Sequence, residues 1–170
     1  MGFSRFLFLL GLALAVILPV RFWVVEPIYI ASASMEPTLP VGRRLFADKL
    51  TLRFRSARAG ELIVFVAPAG ESKEMVKRVI ALPGQTVELR EKKVFVNGRE
   101  LDEPYIQYKR AGERLKGDNL GPLIIPDDGL FVLGDNRDES DDSSVWEDAQ
   151  GQRIYFLPLK NVVGLVRGIF

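Results

Sequence analysis

Residues 6–20 read FLFLLGLALAVILPV and carry no charge. A helix of roughly 20 apolar residues spans a bilayer. Residues 3–25 reach that length if Arg21 snorkels to the interface, where Phe22 and Trp23 suit an aromatic belt. The expected organisation is an N-terminal membrane anchor, 1–25, and an extracytoplasmic body, 26–170. Arg5 and a very short tail favour the N-terminus on the cytoplasmic side. A cleaved signal peptide competes with this, because Ala31-Ser32-Ala33 has the A-x-A pattern of a cleavage site. Against it, Pro19 to Ile30 makes a long and still apolar c-region that contains Trp23 and Tyr29. A buried core helix needs a larger domain around it. The retained anchor is the reading carried forward.

After Glu26-Pro27 the periodicity changes to that of strands. GELIVFVAP, 60–68, is a short apolar run closed by proline, and EMVKRVIALPG, 74–84, is another. Strands are also expected over Thr86–Leu89 and Lys93–Val96, with Asn97-Gly98 as a two-residue hairpin turn and Arg99–Leu101 returning. GLFVLGDN, 129–136, enters a polar loop, and NVVGLVRGI, 161–169, closes the chain. Residues 102–126, rich in charge, glycine and proline, read as a surface excursion. The expected fold is all-β, antiparallel and barrel-like, behind one transmembrane helix.

The chain has no cysteine and no histidine. Thiol catalysis and disulfides are excluded, and zinc or copper sites have no ordinary ligands. Residues 26–170 carry a net charge of −1, which gives no electrostatic reason to expect nucleic acid.

Chemistry must therefore come from hydroxyls, carboxylates and amines. SASMEPTL, 32–39, holds Ser32 and Ser34. A serine is a weak nucleophile without a base, and with histidine absent the candidate bases are lysine, a carboxylate or an amino terminus. Most lysines lie in polar surroundings. Lys77 sits mid-strand, and in strict alternation Met75, Lys77, Val79 and Ala81 share an apolar face. Burial there lowers a lysine pKa and makes it a base. The plain alternatives are a snorkelling edge lysine and a structural Ser34 in a turn. GDNRDESDDSS, 134–144, is a solvated Asx-turn loop around Asp135, Asn136 and Asp138, a loose acidic cation site, or a site loop, placed directly after a buried strand.

Together these stretches resemble type I signal peptidase (leader peptidase), a membrane-anchored serine endopeptidase with a Ser/Lys dyad. SASMEPTL resembles its S-x-S-M-x-P-T-L box, GELIVF its following strand, VKRVIALPGQTV its K-R-V-x-G-L-P-G box and GDNRDESDDSS its G-D-N-x-x-x-S-x-D-S-R box. The four stand in family order across most of the chain. The resemblance implies Ser34 as nucleophile, Lys77 as general base and Ser32 as an oxyanion donor. It implies structural support from Arg78, Ser140, which holds the lysine amine, and Asp142. The chain departs at Ser144, where the family has an arginine paired to that aspartate. It departs again after Trp146, where EDAQGQRIY is longer than usual; Arg153 is the candidate replacement. Implied substrates are secretory preproteins with small residues at −1 and −3, bound extended beside a strand, with Ile30, Met35, Leu39 and Val76 walling the pockets. No cofactor or metal is expected. The implied location is the cytoplasmic membrane, single-pass. A self-cleaving Ser/Lys repressor-type domain and a tethered scaffold that binds signal peptides without cutting them are the alternatives.

Overall fold

The computed structural model describes residues 2–69 and 73–168, without the side chains of 20–22. The interfacial positions expected of Arg21 and Phe22, and the last residue of the expected closing strand, lie outside the described residues. Helix α1, Gly2–Trp23, has 22 residues, or about 33 Å, against a hydrocarbon core of about 30 Å. Its first 18 residues have a mean hydropathy of 2.0, and none of them is buried against the body.

The rest is β. The strands are β1 (Val25–Tyr29), β2 (Arg44–Asp48), β3 (Leu62–Val66), β4 (Glu74–Ala81), β5 (Thr86–Arg90) and β6 (Lys93–Val96). They continue with β7 (Arg99–Glu100), β8 (Leu120–Ile124), β9 (Gly129–Leu133), β10 (Leu157–Pro158) and β11 (Val162–Arg167). One antiparallel sheet runs β1-β2-β11-β3-β4-β9-β10 and curls into a half-barrel; a second runs β7-β6-β5-β8.

Strands β3 and β9 are buried on both faces, as their unbroken apolar runs require. Ile63 and Phe65 of β3 pack with Leu130 and Val132 of β9 in one cluster, where Trp146 meets Phe65 edge-on at 5.8 Å between ring centroids. Leu62 and Val64 point the other way, into a cluster with Ile30, Met35, Leu39 and Leu45. Phe131 and Leu133 join Val87, Leu89 and Val94 between the two sheets.

Two expectations are corrected. The excursion 102–126 is not loop to its end: residues 120–124 form β8, paired to β5 with Thr86 opposite Ile124 and Leu89 opposite Leu120. Gly121 and Pro122 hide this strand from a local reading. Gly121 has φ +92°, and a Cβ there would lie 2.8 Å from the Val87 carbonyl oxygen, so glycine is required by close approach. In β4 the pairing shifts between Val79 and Ala81. Ala81 therefore packs with Ile80 in the inter-sheet cluster, while Val79 stays in the Trp146 cluster. A bulge breaks strict alternation in this way.

Candidate active site

The chain leaves β1 and remains extended at Ser32, with φ −133° and ψ 157°. It then turns once as a 3-10 helix over Ala33–Met35, closed by the Glu36 N–H donating to the Ala33 carbonyl at 3.1 Å. Met35 is the anchor of this turn. It is 1% exposed, and its carbonyl accepts the Leu39 N–H at 2.8 Å. Ser34 thus stands on a turn rather than in a strand. Its hydroxyl still lies 3.3 Å from that of Ser32, which is exposed.

Lys77 projects from β4, opposite Ile63 of β3. Its side chain is 2% exposed, and Nζ lies 2.7 Å from Ser34 Oγ. Burial lowers its pKa from 10.5 to about 8, against the opposing pull of the Asp142 and Asp141 carboxylates. An amine with that pKa is partly neutral near pH 7–8 and can accept a hydroxyl proton.

The loop after β9 clamps the turn that carries Ser34. Asn136 donates its backbone N–H to the Ser34 carbonyl at 3.1 Å and its Nδ2 to the Ala33 carbonyl at 3.1 Å. Gly134 fits beneath: a Cβ there would stand 2.5 Å from the Ser34 carbonyl oxygen and closer still to Ser140 Oγ. Asp142, 1% exposed, accepts from the Gly134 N–H at 2.9 Å, the Ser144 N–H at 3.0 Å and Ser144 Oγ at 2.7 Å. Ser144 therefore serves Asp142 directly, by its hydroxyl. Arg153 instead donates to the Ser144 carbonyl, so it braces the loop without reaching the carboxylate. Ser140 Oγ is buried without a hydrogen-bond partner among the described residues; it is not bonded to Lys77.

Arg78 turns away from Lys77 and grips Asp135 through two bonds, Nε–Oδ1 at 2.8 Å and Nη2–Oδ2 at 2.6 Å. Thr38, also of the SASMEPTL stretch, donates to the same carboxylate. Box-to-box bonding of this kind ties three separate stretches of sequence into one unit.

The excursion supplies further support that its sequence did not suggest. The Gln107 N–H donates to the Asp135 carbonyl at 2.9 Å. Tyr105 stacks on the Arg78 guanidinium at 3.8 Å. Glu103 pairs with Arg137 at 2.5 Å, their side chains 5% and 7% exposed, and Arg137 Nε donates to the Gly134 carbonyl at 3.1 Å. Burial disfavours the Arg137 charge, yet Glu103 holds its pKa above the ordinary arginine value. A run of charge and tyrosine reads as solvated surface when its partners lie 27 to 34 residues away.

Beside Ser34 and Lys77 is a cleft of about 210 Å³ between residues 29–35 and 73–77. Ile30, Met35 and Val76 line it, with Tyr29, Ala31 and Met75. Leu39 does not line it; it is 1% exposed in the core beneath. Among the described residues, Glu74–Lys77 pair with β3 on one side only, because β9 joins β4 from Arg78 onward. The other edge borders the cleft and is open for hydrogen bonding.

A hydroxyl on a buried amine, beside an open strand edge, is an arrangement for acyl transfer from an extended peptide to the hydroxyl. The family profile "Signal peptidase, peptidase S26" matches residues 3–170. The chain belongs to the signal peptidase family, peptidase S26. It is a hydrolase, a serine peptidase. A probable signal peptidase I-1 of Synechocystis sp. is 41% identical over 167 residues, covering 92% of this chain and 76% of that one. Signal peptidase I P of Bacillus subtilis subsp. natto is 37% identical over 166 residues, 89% and 88% of the two chains. The crystal structure of a signal peptidase I from Enterococcus faecalis superposes with a TM-score of 0.50 at 27% identity, covering 65% of this peptidase and 97% of that chain.

Proposed function

We propose that this signal peptidase cleaves secretory preproteins at Ala-x-Ala-type sites, using Ser34 as nucleophile and Lys77 as general base. In this reading residues 1–25 anchor it in the cytoplasmic membrane and residues 26–170 form the catalytic body on the extracytoplasmic side. The observation that carries the dyad is the 2.7 Å contact between Lys77 Nζ and Ser34 Oγ in a buried setting. With the lysine neutral, the Ser34 O–H donates along the same line.

A preprotein lies extended in the cleft and pairs with the open edge of β4. Ser34 Oγ attacks the scissile carbonyl as Nζ takes its proton. The Ser32 hydroxyl and the Ser34 backbone N–H serve the oxyanion. The ammonium of Lys77 then gives its proton to the leaving amine, and the mature chain departs. Nζ, neutral again, deprotonates a water that hydrolyses the acyl-enzyme. Ile30, Met35 and Val76 wall a cleft of about 210 Å³ beside Ser34, and their bulk favours small side chains next to the cut. A substrate that fills it expels water and keeps the lysine neutral.

The experiment is cleavage in trans. Full-length protein in detergent is mixed with a preprotein carrying an Ala-x-Ala site, and the new N-terminus is sequenced. Release of the mature chain by the wild type, and none by Ser34→Ala or Lys77→Met, supports the reading. Undiminished cleavage by Ser34→Ala would falsify it.

A further inference from the structure

We propose that residues 49–58 form a second membrane contact, a cationic and aromatic patch that rests on anionic phospholipid beside helix α1. This depends on reading α1 as a membrane anchor. The segment KLTLRFRSAR holds four cations, Lys49, Arg53, Arg55 and Arg58, and no acidic residue. Its single 3-10 turn, Thr51–Arg53, delivers Phe54 to the surface. Phe54 is 81% exposed, more than any other large apolar side chain among the described residues, and Leu50 is 38% exposed. A monomer in water gains nothing from a phenyl ring held in that way.

The patch is fixed to the place where the apolar helix ends. The Arg53 guanidinium lies 5.2 Å from the Trp23 ring centroid. The Lys49 N–H donates to the Val24 carbonyl at 2.9 Å. A bilayer that takes α1 in as far as Trp23 therefore meets the 49–54 segment at its surface. Next to Phe54 is an apolar groove of about 430 Å³, walled by Leu52, Leu159 and Val162 and flanked by Arg53 and Arg55. Arg55 is held by Glu61 and Lys49 by Glu26, which leaves Arg53 and Arg58 as the two cations of the patch without a carboxylate partner among the described residues. Aromatic rings belong at the headgroup level, and each cation near an anionic surface strengthens adsorption by roughly fivefold. Strand β1 pairs Val25 with Asp48 and Tyr29 with Arg44, so the patch lies at the end of β1 away from the cleft. The five residues of β1 span about 17 Å. The patch is thus separate from the cleavage groove, and lipid rather than preprotein is its occupant. Resting on lipid, it sets the height of the cleft above the membrane.

The absence of cysteine makes the test clean. Full-length Phe54→Cys, Leu14→Cys and Ile124→Cys proteins are labelled with an environment-sensitive fluorophore and placed in nanodiscs with or without anionic lipid. Ile124 is 72% exposed on the second sheet. The expected result has three parts. Lipids spin-labelled near the headgroup quench position 54, deep-labelled lipids quench position 14, and position 124 is not quenched. Adding Arg53→Gln should lower the quenching at 54, and only in anionic discs. Quenching at 14 without quenching at 54 overturns the patch and leaves the anchor standing. No quenching at 14 removes the anchor, and the patch with it. Burial of the label at 54 that follows protein concentration and ignores lipid assigns the surface to a second copy. Shielding that appears only when preprotein is added assigns it to substrate. Either result overturns the proposal.

Discussion

Gly134 presses its Cα against the carbonyl oxygen of Ser34, so closely that a methyl group there would stand 2.5 Å from that oxygen. The backbone of Ser34, the proposed nucleophile, is thereby held by contact as well as by the Asn136 hydrogen bonds. Gly134→Ala must displace either the Ser34 turn or Ser140. We expect a folded, less stable protein whose kcat falls by at least roughly 10²-fold, the scale of a misplacement of about 1 Å. Normal kcat in this variant would show that the turn tolerates movement.

Ser32 tests the oxyanion assignment. Its side chain is exposed and 3.3 Å from Ser34 Oγ. Ser32→Ala should therefore melt like the wild type. It should lose roughly 10²- to 10³-fold in kcat with little change in KM, as for loss of one oxyanion donor. If kcat is retained, Ser32 has no part in the chemistry.

If Lys77 is the base, as proposed, it sets the pH dependence of activity. Its folded pKa of about 8 lies below the ordinary 10.5. Only the neutral amine is a base, so kcat/KM should rise with pH through about 8. For stability, the unfolded chain binds the extra proton between about 8 and 10.5, so stability rises with pH across that window. Below it the full cost of roughly 3 kcal/mol is present. Lys77→Met should be inactive and, near neutral pH, as stable as the wild type or more so. Lys77→Arg should be inactive and less stable, because a guanidinium stays charged when buried. Substantial activity in Lys77→Arg would rule out the lysine as base.

The Glu103–Arg137 pair, 5% and 7% exposed, links the excursion to the loop that holds Gly134. Glu103→Gln leaves a buried cation uncompensated, at a cost of about 3–5 kcal/mol. The melting temperature should fall on the order of 10 °C. Activity should fall as well, measured well below the melt, because Arg137 also holds the Gly134 carbonyl. Glu88→Gln, at the solvent-exposed Arg90 pair, is the control and should leave both unchanged.

Strands β3, β4, β9 and β11 were legible because each is an apolar run cut off by glycine or proline. Asn97-Gly98 announced its hairpin in the same local way. Strand β8 was hidden because its LGPLI sequence carries turn residues, and only its neighbour β5 makes it a strand. Ala81 was assigned to the wrong face because alternation assumes an unbroken ladder. In the site, residue types restricted the chemistry to hydroxyl and amine, and strand alternation marked Lys77 as desolvated. That Ser34 and Lys77 lie within hydrogen-bond reach is not encoded in either segment alone. It depends on the β3–β4 register and on the Asn136 clamp. Leu39 stood within the SASMEPTL box and so looked like a pocket wall, yet its neighbour Met35 draws it into the core. Glu103, Tyr105 and Gln107 carried no signal, since a buried ion pair and a solvated one have the same letters.

If a preprotein pairs with the half-open edge of β4, as proposed, accuracy of cutting becomes a matter of register. Lys77 belongs to the strand along which a bound peptide would be measured, and strand pairing advances in steps of two residues. Sliding a preprotein by one position turns every side chain it presents to the opposite face. Large residues then face the cleft, and the wrong carbonyl meets Ser34. On that reading the pleat of the strand itself counts out the site of the cut.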